Sequence, residues 1–190
     1  MKIGVLALQG DFREHINMLK KLEVETVEVR TKKDLEEIQG LIIPGGESTT
    51  IGKLLIKYSL DKSIIKKYKE GMAIYGTCAG AILLASEIIG NEQPKLGLID
   101  ISVARNAYGR QIDSFETDLE IDGFNKNFHS IFIRAPIIRK IRNGVKILAK
   151  HKKEPVLLRN GRILISTFHP EMTDDTRIHE YFIKMIKENN

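Results

Sequence analysis

Residues 72–85 read MAIYGTCAGAILLA, an apolar, strand-like run followed by a helix-like run. Between the two runs, Gly76 and Gly80 flank Cys78. This Gly-x-Cys-x-Gly pattern is typical of a nucleophile elbow, a sharp strand-to-helix turn that needs small neighbours and can strain the backbone. The partial positive charge at a helix N-terminus favours the thiolate, which is the reactive form of cysteine. The alternative is that Cys78, the only cysteine, is a small buried apolar residue.

The first half of the chain alternates between strand and helix patterns. Strands are predicted at residues 2–8, 24–30, 41–43 and 72–75. Helices are predicted from Asp11 as N-cap, from Ser48 or Thr49 as N-cap, and from Ser63. Short apolar strands that alternate with helices favour a parallel sheet covered on both faces.

The second half of the chain has mostly strand patterns. Apolar residues alternate over residues 112–121, residues 130–133 are short and apolar, and Asn160-Gly161 between two apolar runs predicts a hairpin. An amphipathic pattern over residues 173–187 predicts a closing helix, with Ile178 and Phe182 on its inner face. We therefore predict one α/β domain over residues 1–190. It has three layers: a mostly parallel central sheet, helices on both faces, and antiparallel strands added by the second half.

Composition and charge narrow the class of protein. The chain has 190 residues, of which 42% are hydrophobic and 29% charged, with a net charge of +5. Basic residues are interleaved with acidic ones, as in residues 32–37, so we expect a solvated surface and no nucleic-acid partner. No apolar run is long enough to span a membrane, and residues 2–8 are expected to be a strand rather than a signal peptide. A single cysteine excludes an internal disulfide and favours a cytoplasmic protein.

The segment Phe168-His169-Pro170-Glu171 ends the last predicted strand. Residues two apart in an extended segment point to the same side, so His169 and Glu171 are expected to face the same region. An imidazole can take a proton from a thiol and return it to a leaving group, while a carboxylate orients the ring. The segment alone is weak evidence, but the carboxyl ends of the strands should bring it to the cysteine elbow.

The segment Pro44-Gly45-Gly46-Glu47-Ser48 lies between a predicted strand and a helix. Its glycines let the backbone approach a ligand closely. The amides of Gly45 or Gly46, together with that of Ala79, are candidate donors to an oxyanion formed in acyl transfer. A plain turn with a helix cap is the alternative, and a phosphate-binding loop is disfavoured because the Walker spacing and lysine are missing.

Six blocks in this order resemble the glutaminase subunits of two-component pyridoxal 5'-phosphate synthases, within the triad-type glutamine amidotransferases. They are residues 4–10 (GVLALQG), 44–50 (PGGESTT), 76–80 (GTCAG), 105–111 (RNAYGRQ), 132–136 (FIRAP) and 168–171 (FHPE). The cysteine block is common to many amidotransferases, whereas the second and fourth blocks are more specific. The resemblance covers nearly the whole chain.

The resemblance implies a class I amidotransferase fold and hydrolysis of L-glutamine to glutamate and ammonia. It assigns Cys78 as nucleophile, His169 as proton shuttle and Glu171 as the group that orients His169. It assigns glutamine binding to Gly46, Glu47, Ser48, Arg105, Ile133 and Arg134. Which of the two arginines meets the substrate carboxylate stays open. It requires no cofactor, and the remaining histidines, which share no ligand spacing, are expected to be surface or packing residues rather than metal ligands.

The resemblance also implies a partner, a separate (β/α)8-barrel synthase subunit that receives the ammonia in a heteromeric complex. We hypothesise that residues 9–11 and the loop of residues 106–111 lie near the partner face and near the oxyanion glycines. Docking of the partner then flips the Gly45-Gly46 peptide and activates hydrolysis. Three alternatives remain: a glutaminase that serves another synthase, a cysteine hydrolase that acts on peptides or small molecules, and a non-catalytic binding module. The 105–111 block disfavours the first, His169-Pro170-Glu171 the second, and the complete triad pattern the third.

Overall fold

The computed structural model describes residues 1–105, 114–142 and 144–188. Its strands are β1 (Lys2–Leu6), β2 (Glu25–Val29), β3 (Gly40–Ile43), β4 (Ala73–Thr77), β5 (Ala85–Ile89), β6 (Ile99–Ala104), β7 (Ser114–Leu119), β8 (Phe128–Ile133), β9 (Ile137–Ile141), β10 (Lys146–His151), β11 (Glu154–Asn160) and β12 (Ile163–Ser166). Its helices are α1 (Phe12–Lys21), α2 (Ser48–Lys57), α3 (Leu60–Lys69), α4 (Ala79–Leu84) and α5 (Arg177–Lys187). Two short 3₁₀ turns cover Lys33–Leu35 and Pro170–Met172.

Within the described residues, a seven-stranded sheet in the order β10-β11-β12-β4-β3-β1-β2 forms the centre of the molecule. Strands β12, β4, β3, β1 and β2 run parallel, whereas β11 and β10 are antiparallel additions at one edge. The predicted hairpin at Asn160-Gly161 joins β11 to β12. The prediction of a mostly parallel sheet with added antiparallel strands is therefore confirmed.

Both faces of this sheet are covered. Leu41 and Ile43 of β3 pack in one core with α2, α3 and α4, whereas Ile42 packs in the opposite core with α1 and α5. All three side chains are fully buried. Successive strand residues point to opposite faces, so a strand buried on both sides must be apolar throughout, as β3 is. The predicted three-layer arrangement is confirmed.

The segment after the elbow departs from prediction. The helical run was expected to continue through Ala85, but α4 ends at Leu84 and Ala85 is already extended (φ −62°, ψ 143°). Ala85 begins β5, which pairs in parallel with β6, and β9 completes this small sheet. Pairing with the next strand of the chain therefore overrides the helical pattern.

The strands β7 and β8 form a separate antiparallel pair. They match the alternating pattern predicted over residues 112–121 and the apolar run at 130–133, although residues 112 and 113 lie outside the described residues. Across the described residues, no helix is both long and apolar enough to span a bilayer.

Candidate active site

Cys78 occupies the sharp turn between β4 and α4. Its backbone has φ 46° and ψ −98°, a strained conformation for a residue other than glycine. A Cβ on Gly80 would run into the carbonyl oxygen of Ile43, and one on Gly76 would lie 2.7 Å from the carbonyl carbon of Gly80. The glycines are needed because helix and strands approach this closely, and the predicted elbow is confirmed.

His169 and Glu171 follow β12 and lie together. Nδ1 of His169 and Oε1 of Glu171 are 2.8 Å apart, and both residues are buried. The expectation that they face the same region is confirmed, but its reasoning from an extended strand is wrong. Glu171 lies in the 3₁₀ turn Pro170–Met172, so the turn brings the carboxylate back to the ring.

The charge state of His169 depends on opposing influences. Burial lowers its pKa, but the adjacent Cys78 sulfur and then the Glu171 carboxylate more than compensate and raise the pKa to about 11. The ring's Nε2 is buried without a hydrogen-bond partner of good geometry among the described residues. Burial raises the pKa of Glu171, while the hydrogen bond to His169 lowers it again in part. The site thus favours an imidazolium between a sulfur and a carboxylate.

The predicted oxyanion loop lies directly beside His169. A Cβ on Gly45 would be 3.0 Å from Nδ1 of His169 and 2.9 Å from Oδ2 of Asp11, so the position needs glycine. Gly46 has φ +144°, which also favours glycine. Ala79 is the first residue of α4, where an amide has no acceptor within the helix. The loop and the start of α4 thus both flank the triad residues.

The N-terminal segment holds this loop. The amide of Asp11 donates to the carbonyl of Gly45 at 3.2 Å, and the amide of Glu47 donates to Oε1 of Gln9 at 2.8 Å. The expected proximity of residues 9–11 to the oxyanion glycines is confirmed. The companion expectation for residues 106–111 lies outside the described residues.

Glu47, rather than Ser48 or Thr49, caps α2. Its carboxylate accepts from the amides of Thr49 at 3.3 Å and Thr50 at 2.7 Å. The predicted cap was wrong because a glutamate at the extended N-cap position can reach both amides. Ser48 is buried, and its hydroxyl donates to the side chain of Gln93 at 3.3 Å.

Arg105 lies over the start of α2. Its guanidinium pairs with Glu47 at 2.9 Å and donates to Thr49 Oγ1 at 2.9 Å and to Gln93 Oε1 at 2.6 Å. The structure therefore brings Arg105 to the predicted glutamine-binding segment. Gln93 was missed by sequence reasoning, since nothing near it in sequence suggests a site.

Ile133 and Arg134 reach the site from the end of β8. The carbonyl of Ile133 lies 3.9 Å from the sulfur of Cys78. Arg134 has φ 42°, is exposed, and its guanidinium has no hydrogen-bond or ion-pair partner among the described residues. A backbone carbonyl therefore lies close to the predicted nucleophile, and an exposed arginine follows it directly in the chain.

Two polar residues at the start of α1, Asp11 and His15, lie beside the His169–Glu171 pair. Asp11 takes the predicted N-cap position, but its side chain makes no cap hydrogen bond and lies 3.6 Å from Nδ1 of His169. His15, expected to be a surface or packing residue, is fully buried, and its Nε2 lies 3.4 Å from Oε2 of Glu171, a contact that sequence reasoning missed. The available signal was a polar pair at i and i+4, a spacing that places two side chains on the same side of a helix.

Asp11, His169 and Glu171 place ligand atoms within 4.8 Å of one another, a spacing that can also hold a metal ion. The hydrogen bond between His169 and Glu171 and the charge of Asp11 explain this spacing without an ion. The expectation of no metal ligand therefore stays a prediction.

Comparisons with known proteins agree with this geometry. A family model described as the SNO glutamine amidotransferase family matches residues 5–188. Two similar relatives are named pyridoxal 5'-phosphate synthase subunit PdxT. The one from Thermus thermophilus is 55% identical over 185 residues, covering 96% of each chain. The one from Thermosipho africanus is 52% identical over 188 residues, covering 99% of this chain and 100% of its own.

A solved structure described as a glutamine amidotransferase is 53% identical and has a TM-score of 0.94. The match covers 97% of this chain and 98% of that one. These findings confirm the resemblance inferred from the six sequence blocks and the fold that it implied. The chain therefore belongs to the SNO glutamine amidotransferase family.

Proposed function

We propose that this chain is a glutaminase that hydrolyses L-glutamine to glutamate and ammonia through Cys78, His169 and Glu171. The observation that carries the proposal is the strained cysteine elbow beside the His169–Glu171 pair, in a chain of this family. The thiolate of Cys78 attacks the side-chain amide carbon, and the imidazolium of His169 gives its proton to the departing nitrogen. This releases ammonia and leaves a glutamyl thioester. His169 then takes a proton from water, whose oxygen displaces the sulfur and releases glutamate.

The oxyanion of each tetrahedral intermediate needs donors opposite the nucleophile. The amides of Gly46 and Ala79 are our candidates, with Gly45 setting the orientation of the loop peptide. Their position beside Cys78 and His169 supports this role. Donors of this kind contribute about 3 kcal/mol to transition-state stabilisation.

The substrate's α-carboxylate and α-ammonium need opposite charges. We propose that Gly46, Glu47 and Ser48, with Arg105 on one side and Ile133 and Arg134 on the other, bind free glutamine. Glu47 is already paired with Arg105, so the two act as one polar group that can meet both substrate charges. The carbonyl of Ile133 can accept from the substrate amide, and the exposed guanidinium of Arg134, which has no partner among the described residues, is available to a carboxylate.

The relatives' names support a partner and a pathway for the ammonia. We propose that this chain delivers ammonia to a separate synthase subunit that makes pyridoxal 5'-phosphate, in a cytoplasmic complex. That the partner is a (β/α)8 barrel follows from the sequence resemblance. Relatives that are 52% and 55% identical favour this pathway over another synthase.

Partner binding is proposed to control the oxyanion loop. Asp11 holds the loop through its backbone amide and Gln9 through its side-chain oxygen, so a partner that contacts residues 9–11 acts directly on the Gly45-Gly46 peptide. Flipping that peptide breaks the bond from Asp11 to Gly45. Such control would prevent glutamine from being wasted when no synthase is bound.

Ammonia release from L-glutamine tests these proposals, measured with and without the co-purified synthase subunit. Cys78→Ala is expected to lower the rate by roughly a thousandfold or more. Activity retained by Cys78→Ala would overturn the mechanism. Equal rates for the isolated and the bound wild-type chain would overturn only the control by the partner.

A further inference from the structure

A network of buried polar groups continues beyond Glu171. Nε2 of His15 lies 3.4 Å from Oε2 of Glu171 and 3.1 Å from Oγ1 of Thr77. Nδ1 of His15 lies 2.9 Å from Nε2 of His179. His15, Thr77 and His179 are fully buried, and α1, β4 and α5 supply one each.

Hydrogen-bond pairing selects one arrangement of protons in this network of buried polar groups. If Nε2 of His15 carries the proton, it faces the carboxylate and the threonine oxygen as a donor, and Nδ1 accepts from His179. Nδ1 of His179, which is buried without a partner among the described residues, is then an unused acceptor. In the opposite arrangement a lone pair of His15 faces Oε2 of Glu171, and His179 buries an unpaired N–H, which is costly.

Burial also keeps both imidazoles neutral. It lowers the pKa of His15 well below its usual value, with further lowering by His179 and His169. Burial lowers the pKa of His179 to about 3. A neutral donor can orient the carboxylate without competing with His169 as its positive partner.

We propose that His15 is a positioning residue: its Nε2–H holds Oε2 of Glu171 so that Oε1 stays on Nδ1 of His169, and His179 sets the tautomer of His15. Oε2 has no hydrogen bond of good geometry in this structure, and the 3.4 Å contact is long. Catalytic hydrogen bonds of this kind commonly tighten when substrate binds. The inference rests on the proposed glutaminase function and adds residues from both ends of the chain to it.

Two substitutions at the same position separate positioning from packing. The side-chain amide of His15→Gln reaches about as far as Nε2 and keeps a donor towards Glu171. The amide of His15→Asn reaches only about as far as Nδ1 and loses that donor while keeping the contact with His179. Both remove the ring from the same buried space, so their losses of thermal stability should be similar.

The assay is ammonia release by the full-length chain with its synthase subunit. His15→Asn is expected to lower kcat about tenfold, with KM changed less than about twofold, while His15→Gln recovers most of kcat. His129→Asn, on the exposed surface of β8, is the control and should match the wild type. Equal kcat for His15→Asn and His15→Gln would overturn the positioning role. No ammonia release by the wild type would overturn the proposed function itself.

Nitrogen-15 NMR of the histidine rings tests the tautomers without any turnover. Expected are a protonated Nε2 and an unprotonated Nδ1 in both His15 and His179, at neutral pH. The opposite tautomer of His15, or a cationic ring, would overturn the inference even if the enzyme is active.

Discussion

Cys78 shows how much the site demands of one residue. Its φ of 46° places a side chain in a region that favours glycine, yet the sulfur must be there for the proposed chemistry. Strain of this kind costs about 1–3 kcal/mol and persists only where the surroundings enforce it. Here the amide of Cys78 donates to the carbonyl of Ser166 at 2.9 Å, and Gly80 packs on Ile43. The turn is thereby held from both neighbouring strands.

Glycine should relieve this strain. We predict that the free energy of unfolding of Cys78→Gly is about 1 kcal/mol higher than that of Cys78→Ala. The glycine variant is the more stable one because only alanine keeps a Cβ at the strained position. Urea unfolding of the two inactive variants measures the difference. The control is Ala81→Gly within α4. There the change from alanine to glycine should lower the free energy of unfolding, the opposite of the effect expected at position 78. A Cys78→Gly variant less stable than Cys78→Ala would show that the turn is not strained.

At the scale of an element, the start of α2 combines helix capping with the predicted substrate site. Glu47 caps the helix through the amides of Thr49 and Thr50, while its carboxylate also pairs with Arg105. Burial raises the pKa of Glu47. The hydrogen bonds to the carboxylate and the charge of Arg105 lower the pKa by more than burial raises it, so the net shift is downward. A lowered pKa means that the contribution to stability is present at neutral pH and is lost as pH falls through that pKa.

Removing this cap should destabilise the protein modestly. Glu47→Ala is expected to lower the free energy of unfolding by about 1 kcal/mol at neutral pH. Glu47→Asp, which keeps a carboxylate at the N-cap, should lose less. Chemical unfolding at a series of pH values is the measurement, and the difference between wild type and Glu47→Ala should shrink in acid. A difference that grows in acid would contradict this account of the cap.

At the scale of the whole molecule, the two ends of the chain meet behind the site. α1 and α5 cover the same face of the central sheet, and His15 contacts His179 there. Phe182 of α5 packs against Tyr75 of β4, with ring centroids 5.7 Å apart, and a Cβ on Gly40 would lie 3.1 Å from its ring. The last helix therefore supports the strand that carries the elbow.

Loss of this packing should be costly. Phe182→Ala is expected to lower the free energy of unfolding by about 3–5 kcal/mol, because it opens a cavity in a fully buried position. Tyr58→Ala, at a residue that is 46% exposed, should change it by less than about 0.5 kcal/mol. Denaturant unfolding of both variants provides the comparison. Similar losses for the two would mean that α5 does not hold the core together.

Prediction from sequence succeeded where the signal was local. The apolar strands, the Asn160-Gly161 hairpin and the cysteine elbow each depend on neighbouring residues, and each is present. It failed where a local pattern allows two outcomes. The helical run after Cys78 gave way to pairing of β5 with β6, and the capping role went to Glu47, whose carboxylate reaches the amides of Thr49 and Thr50.

The sequence alone determined the layered α/β fold, the family and the residues of the proposed triad, because periodicity and short motifs encode them locally. Only the tertiary structure revealed how those residues are held. The order of the strands brings Cys78 to His169, a 3₁₀ turn returns Glu171 to the ring, and α1 and α5 bury His15 and His179 behind it. The physical reason is that a buried polar group takes whichever partner the packed elements bring within hydrogen-bond distance, and that distance is not written in any local pattern.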